Sequence, residues 1–307
     1  MAREKSTVSV DGHELTLTNL GKVMYPSTGA TKGDVVAYYA DIAPFLVAHA
    51  QWRPATRKRW VHGVGTVDHP GQVFFQKNLE PSAPTWVKRF PISHSEHEID
   101  YPLVNDRATL VWLAQLAALE IHVPQWQFGP RGRHKNPDRL VLDLDPGEGA
   151  GLAECVEVAG AARRLLLDLG FDAIPVTSGS KGIHVYAGLG GERTSEQASS
   201  LAHDIARQLE SQLPALVVSD MRKTLRAGKV LVDWSQNNGA KTTVAPYSLR
   251  GTTLPTVASP RTWRELNAKG LRQLTCDEVL RRVKRSGDPL AALSGVKQQG
   301  SEPLGRL

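Results

Sequence analysis

Two aspartates stand one residue apart at the end of an apolar run, Asp143 and Asp145 in RLVLDLDPGEG. In a strand, residues i and i+2 point to the same face. Both carboxylates therefore face one way, while Leu144 points into the core. Like charges this close repel strongly where the dielectric is reduced. A divalent cation between them removes the conflict, and hard oxygen donors favour Mg²⁺ or Mn²⁺ over zinc. A later apolar run, KVLVDWSQN, ends in Asp233. Three acids on two core strands suit a two-metal phosphoryl-transfer site. Taken one at a time they have plainer readings. The pair can cap the turn before the next helix, and a single Asp ending a strand is common.

Between these acids lies TSGSKGIHVY. Its glycines and serines, in a strand–loop–strand turn, are expected to expose backbone N–H groups as a nest for anionic oxygens. Ser178 and Ser180 add hydroxyls and Lys181 adds a charge. His184 opens the next strand, placed to meet a triphosphate oxygen or a metal ligand. A GxxxxGK[ST] loop is absent. In isolation this is an ordinary Gly-Ser turn followed by a core histidine, and it gains meaning only beside the three acids. His94 and His97, in HSEHE, have a spacing that binds metal on a helix. No second ligand pair accompanies them, and an exposed polar loop is the expected state.

The elements that position these groups can be read from periodicity. A short strand pair is expected over Val8 to Leu17. A helix follows in TKGDVVAYYADIAPFLVAHA, with Thr31 as N-cap, Asp34 in the first turn, and Val35, Tyr38, Tyr39 and Ile42 on one face. QVFFQK reads as a strand. DRATLVWLAQLAALEI is apolar nearly all round and reads as a core helix from Asp106 to Ile121. The rest alternates: strand Leu140–Leu144, helix Leu152–Leu169 stopped by Gly170, strand Ala173–Thr177 and strand Ile183–Ala187. Helix Ser195–Leu213 and strands Leu216–Ser219 and Val230–Trp234 follow. Short helices are expected near Arg261–Asn267 and Cys276–Lys284. The tail after Gly287 is polar and expected to be loose. There is no internal repeat and no linker-like stretch, so residues 1–290 read as one compact unit of two lobes, followed by a polar tail over 291–307.

The composition of the 307 residues is compatible with this reading. Hydrophobic residues make up 41%, enough for a sizeable core. A net charge of +6 and a pI of about 9.3 favour a polyanionic partner, though many proteins are this basic without one. Cys155 and Cys276 belong to no CxxC pair, which argues against a disulfide framework or a cysteine-rich zinc site. MAREKSTVSVDG lacks an apolar signal segment, and no apolar run approaches a membrane span. A cytosolic protein with no membrane partner is expected.

DLDPGEG, SGSKGIHVY and VDWSQN, in that order, resemble the three catalytic motifs of the archaeo-eukaryotic primase superfamily. LTNLGKVMYP, TGATKGD, RPATRKRW, VFFQKNL, ALEIHVPQW, LRAGKVLVDWSQN and KTTVAPYSLRG extend the resemblance over nearly the whole chain. More closely, the chain is similar to the polymerase domain of bacterial (mycobacterial-type) DNA ligase D and its stand-alone relatives. The resemblance implies a mixed α/β (α+β) fold of two lobes. An RRM-like catalytic sheet lies beside a second mixed lobe, with a cleft between them. It implies a template-dependent nucleotidyltransferase that fills short gaps and extends DNA ends, prefers ribonucleotides and uses two Mn²⁺ (or Mg²⁺) ions with nucleoside triphosphates.

Roles carry over by position. Asp143, Asp145 and Asp233 match the metal ligands. Ser178, Ser180, Lys181 and His184 match the nucleotide-phosphate loop. Lys58, His122, Arg226, Gln236 and Arg250 match residues lining the nucleotide pocket. Asn19, Lys22 and Lys32 match a site for the 5′-phosphate across a gap or break. Phe74 and Phe75 match an aromatic pair that packs on bases. From the residues alone, the two lysines are also readable as solvated side chains, His122 as a helix-end cap, and one of the two adjacent phenylalanines as core-facing. The implied partners are gapped or broken DNA with a 5′-phosphate, a DNA ligase in cis or in trans, and Ku.

The chain departs from the family pattern in two loops. VHGVGTVDHPGQ is longer than expected, which bears on how template is held, and FGPRGRHKNPDR is shorter. No KxDG ligase nucleophile is present, which leaves a stand-alone polymerase and an excised domain both open. Two other functional classes stand beside the polymerase. A metal-dependent nuclease or phosphoesterase would have no evident use for the phosphate loop. A non-catalytic DNA-end binding module would bind ends without synthesis.

Overall fold

The N-terminal residues alternate in polarity and form a hairpin. β1 (Lys5–Val10) and β2 (His13–Thr18) pair antiparallel around Asp11-Gly12, both at positive φ, the backbone a two-residue hairpin turn requires. A computed structural model describes residues 5–94 and 97–294. A second small pair, β3 (Val23–Tyr25) and β4 (Ala30–Thr31), feeds α1 (Lys32–Ala50). Thr31 is the N-cap, as expected, and forms a capping box with Asp34. Its hydroxyl accepts from Asp34 N at 3.3 Å, and the Asp34 carboxylate accepts from Thr31 N at 2.7 Å.

The next elements are β5 (Thr56–Arg59), β6 (Phe74–Gln76), the hairpin β7 (Arg89–Ser93) and β8 (Glu98–Pro102), α2 (Arg107–Gln115) and β9 (Ala118–Val123). The single helix expected over 106–121 is thus two elements. Ala117, at φ 61°, ends the helical path, and the remaining residues form a strand in which every position is buried. The all-round apolar character came from joining a packed helix to a central strand, which periodicity alone does not separate. His122 accordingly lies on a strand and not at a helix end.

β10 (Arg139–Pro146), α3 (Leu152–Asp168), β11 (Ala173–Thr177), β12 (Ile183–Gly188), α4 (Ser195–Gln212), β13 (Val217–Val218) and β14 (Val230–Asp233) follow close to expectation. Then come β15 (Thr243–Val244), β16 (Ser259–Pro260), α5 (Trp263–Leu266), α6 (Cys276–Ser286) and α7 (Ala291–Ser294). The larger sheet has the order β13-β14-β10-β12-β11-β16, antiparallel except for β13 beside β14. The smaller runs β15-β9-β5-β6. The fold is mixed α/β, as expected.

β10 divides its residues by face. Leu140, Leu142 and Leu144 pack with Cys155 and Val158 of α3 and Ile205 of α4. Val141 faces the other way with Val176, Tyr186 and Val244, and Asp143 and Asp145 continue along that face by strand alternation. The chain then returns, so that Tyr247, Leu249 and Val257 pack into the core that α1 and α2 build. Each sheet takes a strand from this late segment, which ties the two together.

The loose tail is corrected in its first residues. Leu290 is buried and α7 packs against α1. Asp288 bonds the buried His49 ring at 2.6 Å and accepts from Tyr247 OH at 2.5 Å. Residues 295–307 of that expected tail lie outside the described residues.

Candidate active site

β10 lies between β14 and β12, and the register decides what its acids meet. Asp143 sits directly opposite Asp233 on one side and His184 on the other. Directly opposed residues hold their Cβ atoms roughly 4.5–5.5 Å apart. Asp145 follows two residues on, on the same face. Burial, then the charges of Asp233 and Asp145, push the Asp143 carboxyl up to about 7. His184 Nε2 stands 3.4 Å from Asp143 Oδ1. Its ring is driven down to about 3, mainly by burial and then by Arg250 and His122, so the imidazole is neutral.

Asp145 is more open, with Arg226 Nη1 at 3.9 Å from its Oδ2. A Cβ on Gly147 would fall 1.9 Å from the Arg226 carbonyl oxygen, so only glycine lets the chain turn there. Asp233 ends β14 and begins a 3₁₀ turn over Trp234–Asn237. Ser235 N and Oγ donate to its Oδ1 at 3.0 and 2.5 Å, and Gln236 Nε2 donates to Oδ2 at 3.0 Å. Among the described residues no three His, Cys, Asp or Glu side chains are already gathered as an ion cage.

The β11–β12 loop follows on the far side of His184. Its backbone is not the open nest that glycine and serine content suggested. Ser178 N donates to Gly182 O at 3.0 Å, Gly179 N to Gln273 Oε1 at 2.7 Å, and Ser180 N and Gly182 N to Ser178 Oγ at 3.2 and 3.1 Å. The Ser178 hydroxyl organises the loop from inside, and the loop's exposed groups are Ser180 and Lys181. Gly179, at φ 71°, packs against Val257 and Arg250.

A residue the motifs did not single out joins the pocket together. Glu120 on β9 is buried, faces Lys58 across the β5–β9 ladder and shares a face with His122. His122 Nε2 lies 2.7 Å from Glu120 Oε2 and Lys58 Nζ 3.3 Å from the same oxygen. Arg250 Nε and Gly251 N donate to Oε1 at 3.2 and 3.0 Å. Burial opposes its charge, but the His122 bond, Arg250 and Lys58 prevail and hold the carboxyl far below the usual range. Burial keeps His122 below its ordinary value despite Glu120. Arg250 Nη1 also donates to Ser178 O at 2.6 Å, linking this cluster to the β11–β12 loop. The sequence signal was an acid inside an otherwise apolar run, ALEIHV.

Asn19, Lys22 and Lys32 converge where α1 starts. Asn19 adopts φ 55° and its carbonyl accepts from Lys22 N at 3.0 Å. Lys32 N donates to Lys22 O at 2.7 Å, and Lys32 Nζ to Thr18 O at 2.8 Å. Burial, then Lys22 and Arg59, bring the Lys32 ammonium down to about 8. A buried lysine beside another lysine at a helix start is not an ordinary solvated side chain. The longer loop lies against this corner: Lys22 Nζ donates to Val61 O at 3.2 Å, and Val64 N to Met24 O at 2.8 Å.

Phe74 and Phe75 are 42% and 57% exposed. The expectation that one must face the core fails because β6 is a three-residue strand at the sheet's edge. His94 and His97 lie at the tip of the β7–β8 hairpin, joined by His94 N to His97 O at 2.9 Å. Residues 95–96 of that stretch are outside the described set. Cys155 is a free, buried thiol, as expected.

Fold and site together define a mixed α/β nucleotidyltransferase. Residues 31–290 match the family described as LigD, primase-polymerase domain, and the chain belongs to that family. It is 53% identical over 290 residues to the multifunctional non-homologous end joining protein LigD of Mycobacterium bovis, covering 93% of this chain and 38% of that protein. It is 32% identical over 296 residues to the bifunctional LigD of Bacillus subtilis, covering 96% of this chain and 46% of the relative. The chain therefore spans less than half the length of these relatives. The solved polymerase domain of Mycobacterium tuberculosis ligase D, in complex with DNA, superposes with a TM-score of 0.87 at 53% identity. The match covers 91% of this chain and 98% of that one. Among the described residues no helix is long and apolar enough to cross a membrane.

Proposed function

We propose that the chain extends a 3′ end across template DNA at short gaps and broken ends, preferring ribonucleotides and reading a 5′-phosphate on the far side. The observation that carries this is the register that sets Asp143 opposite Asp233, with Asp145 two residues on, beside a pocket of Lys58, His122 and Arg250. The donor set fits two Mn²⁺ or Mg²⁺ ions chemically. All three acids offer hard oxygens, and the raised Asp143 carboxyl marks negative charge that lacks compensation. Asp143, Asp145 and Asp233 would hold the ions, with Asp233 first releasing Ser235 or Gln236. Bound divalent ions supply Lewis acidity at the reacting oxygens.

The chain's own groups bind and orient. Ser180 and Lys181 face the triphosphate, and neutral His184 can donate to it without adding charge beside Arg250. Lys58, His122, Arg226, Gln236 and Arg250 line the nucleotide pocket. The primer 3′-OH attacks the α-phosphorus, a new P–O bond forms, and the bond to pyrophosphate breaks. Asn19, Lys22 and Lys32 hold the downstream 5′-phosphate. Phe74 and Phe75 offer exposed rings for a template base, worth about 1–3 kcal/mol per stacked base. Residues 1–290 act as one catalytic unit in a bacterial cytosol, in non-homologous end joining or gap repair, with a ligase and Ku as partners. Family membership favours nucleotidyl transfer over the hydrolytic and non-catalytic alternatives.

Primer extension on a short gap, with and without the 5′-phosphate and with ribo- or deoxynucleotides, tests the whole reading. Asp143→Ala is expected to abolish addition while 5′-phosphorylated DNA still binds. Extension by that variant at the parent rate overturns the metal assignment, and a strong deoxynucleotide preference overturns the sugar preference.

A further inference from the structure

A cleft of about 960 Å³ opens beside Gln236, the residue bonded to Asp233. Phe75, Lys77 and Lys241 line it, together with His134, Lys135 and Asn136. Those three residues also line a second depression of about 720 Å³, which continues to Arg131 and Arg133. The two form one groove leading away from the carboxylates.

Its charge is one-sided. Among the described residues, Lys77, Arg131, Arg133 and Lys135 have no ion pair or side-chain hydrogen bond, and Lys241 bonds only the Ser235 hydroxyl. Two acids lie along the groove. Asp138 is paired with Arg53 at 2.6 Å, and Glu196 stands in the first turn of α4. Unpaired cations on this scale leave a field that a polyanion neutralises.

The loop carrying three of them is held rigidly. Gly129 N donates to Arg133 O at 2.7 Å and Lys135 N to Gln127 O at 2.8 Å. His134 stacks on Trp126 at 4.1 Å, and a Cβ on Gly132 would fall 2.9 Å from the Phe90 ring. Arg131, Arg133 and Lys135 remain exposed on this clamp. Backbone order and aromatic packing thus fix the positions of side chains that make no bond to the rest of the protein.

We propose that this groove binds the phosphodiester backbone of the nucleic-acid strand whose 3′ end enters the site, with Arg131, Arg133 and Lys135 as its outer contacts. The assignment rests on the polymerase reading for the strand's polarity. The groove's affinity for a strand can be measured without catalysis. Fluorescence anisotropy of a labelled single strand lacking a 5′-phosphate, with neither nucleotide nor metal, is followed against salt for the parent and for R131A/R133A/K135A. Three single-strand phosphate contacts contribute a slope of roughly −2 in log K against log salt, so between about 50 and 200 mM salt the parent loses roughly twentyfold more affinity than the variant.

R131K/R133K/K135R is expected to restore the parent slope. R164A/R207A/R281A, which removes equal charge from exposed positions of α3, α4 and α6, is expected to keep it. Equal slopes for parent and groove variant, or equal losses in both alanine triples, overturn the proposal. Strand binding that follows these expectations in a protein unable to extend any primer sinks the polymerase reading and leaves the groove standing. All three mutated side chains are exposed, and an unchanged melting temperature confirms that each variant is folded.

Discussion

Replacing Glu120 by Gln removes one charge from the centre of the proposed nucleotide pocket and keeps nearly the same shape. Glu120 is 3% exposed and meets His122 at 2.7 Å, Gly251 N at 3.0 Å, Arg250 at 3.2 Å and Lys58 at 3.3 Å. A glutamine oxygen can serve one pair of these donors. Its NH₂ group must then face the other pair: it meets Lys58 donor against donor, while His122 can accept from it only by changing tautomer. Hydrogen bonds to a charged group contribute about 1.5–3 kcal/mol each, and losing one partner of a buried charge cluster costs about 3–5 kcal/mol. The Lys58 share is discounted because that side chain is 31% exposed. A loss of about 3 kcal/mol is expected, near the low end of that range. At about 2 °C per kcal/mol for a chain of this size, the melting temperature falls by about 6 °C. Lys58, His122 and Arg250 also lose their common anchor, so nucleotide affinity falls about tenfold, equivalent to about 1.4 kcal/mol. Glu120→Asp keeps the charge on a shorter arm and falls between. Thermal melts and nucleotide titration on the same samples provide both numbers. A Glu120→Gln protein that melts within a degree of the parent and binds nucleotide equally well refutes the role of Glu120 as the group that positions these side chains.

Two further outcomes follow from particular residues. Lys32, brought down to about 8 by burial and by Lys22 and Arg59, is charged below that pH and neutral above it. A phosphate monoester is already largely dianionic there, since its second pKa is about 6. Discrimination for 5′-phosphorylated ends in a binding assay should therefore decline from pH 8 upward, approaching tenfold per pH unit. A profile flat to pH 9.5, as an ordinary lysine would give, contradicts this. Gly179→Ala puts a Cβ 2.6 Å from the Val257 carbonyl carbon at φ 71°. The phosphate loop should be displaced, with stability lowered by about 1–3 kcal/mol and nucleotide binding weakened. A denaturation midpoint equal to the parent's would show that the loop tolerates the side chain.

Much of this site was legible from local pattern. Apolar runs ending in Asp143, Asp145 and Asp233 announce strands with acids at their lips, because burial of the run and charge at its end are both written in adjacent residues. Thr31 and Asp34 announce the start of α1 for the same reason, since a capping box spans four residues and needs nothing distant. The segment 106–121 was misread because a core helix and a core strand share one apolar composition, and only Ala117's backbone separates them. The Gly-Ser stretch between β11 and β12 was legible as a tight turn, but not that Ser178 and Gln273 would occupy its N–H groups, since Gln273 is 94 residues from Gly179.

By itself, the sequence determined most of the elements, which acids stand at strand ends, and the family, because each is encoded in short runs whose spacing fixes which way side chains point. The tertiary structure alone decided that Asp143 faces Asp233, that Glu120 gathers Lys58, His122 and Arg250, and that scattered cations line one groove. Those facts depend on strand register and on chain segments returning from far along the sequence, and no local periodicity encodes either.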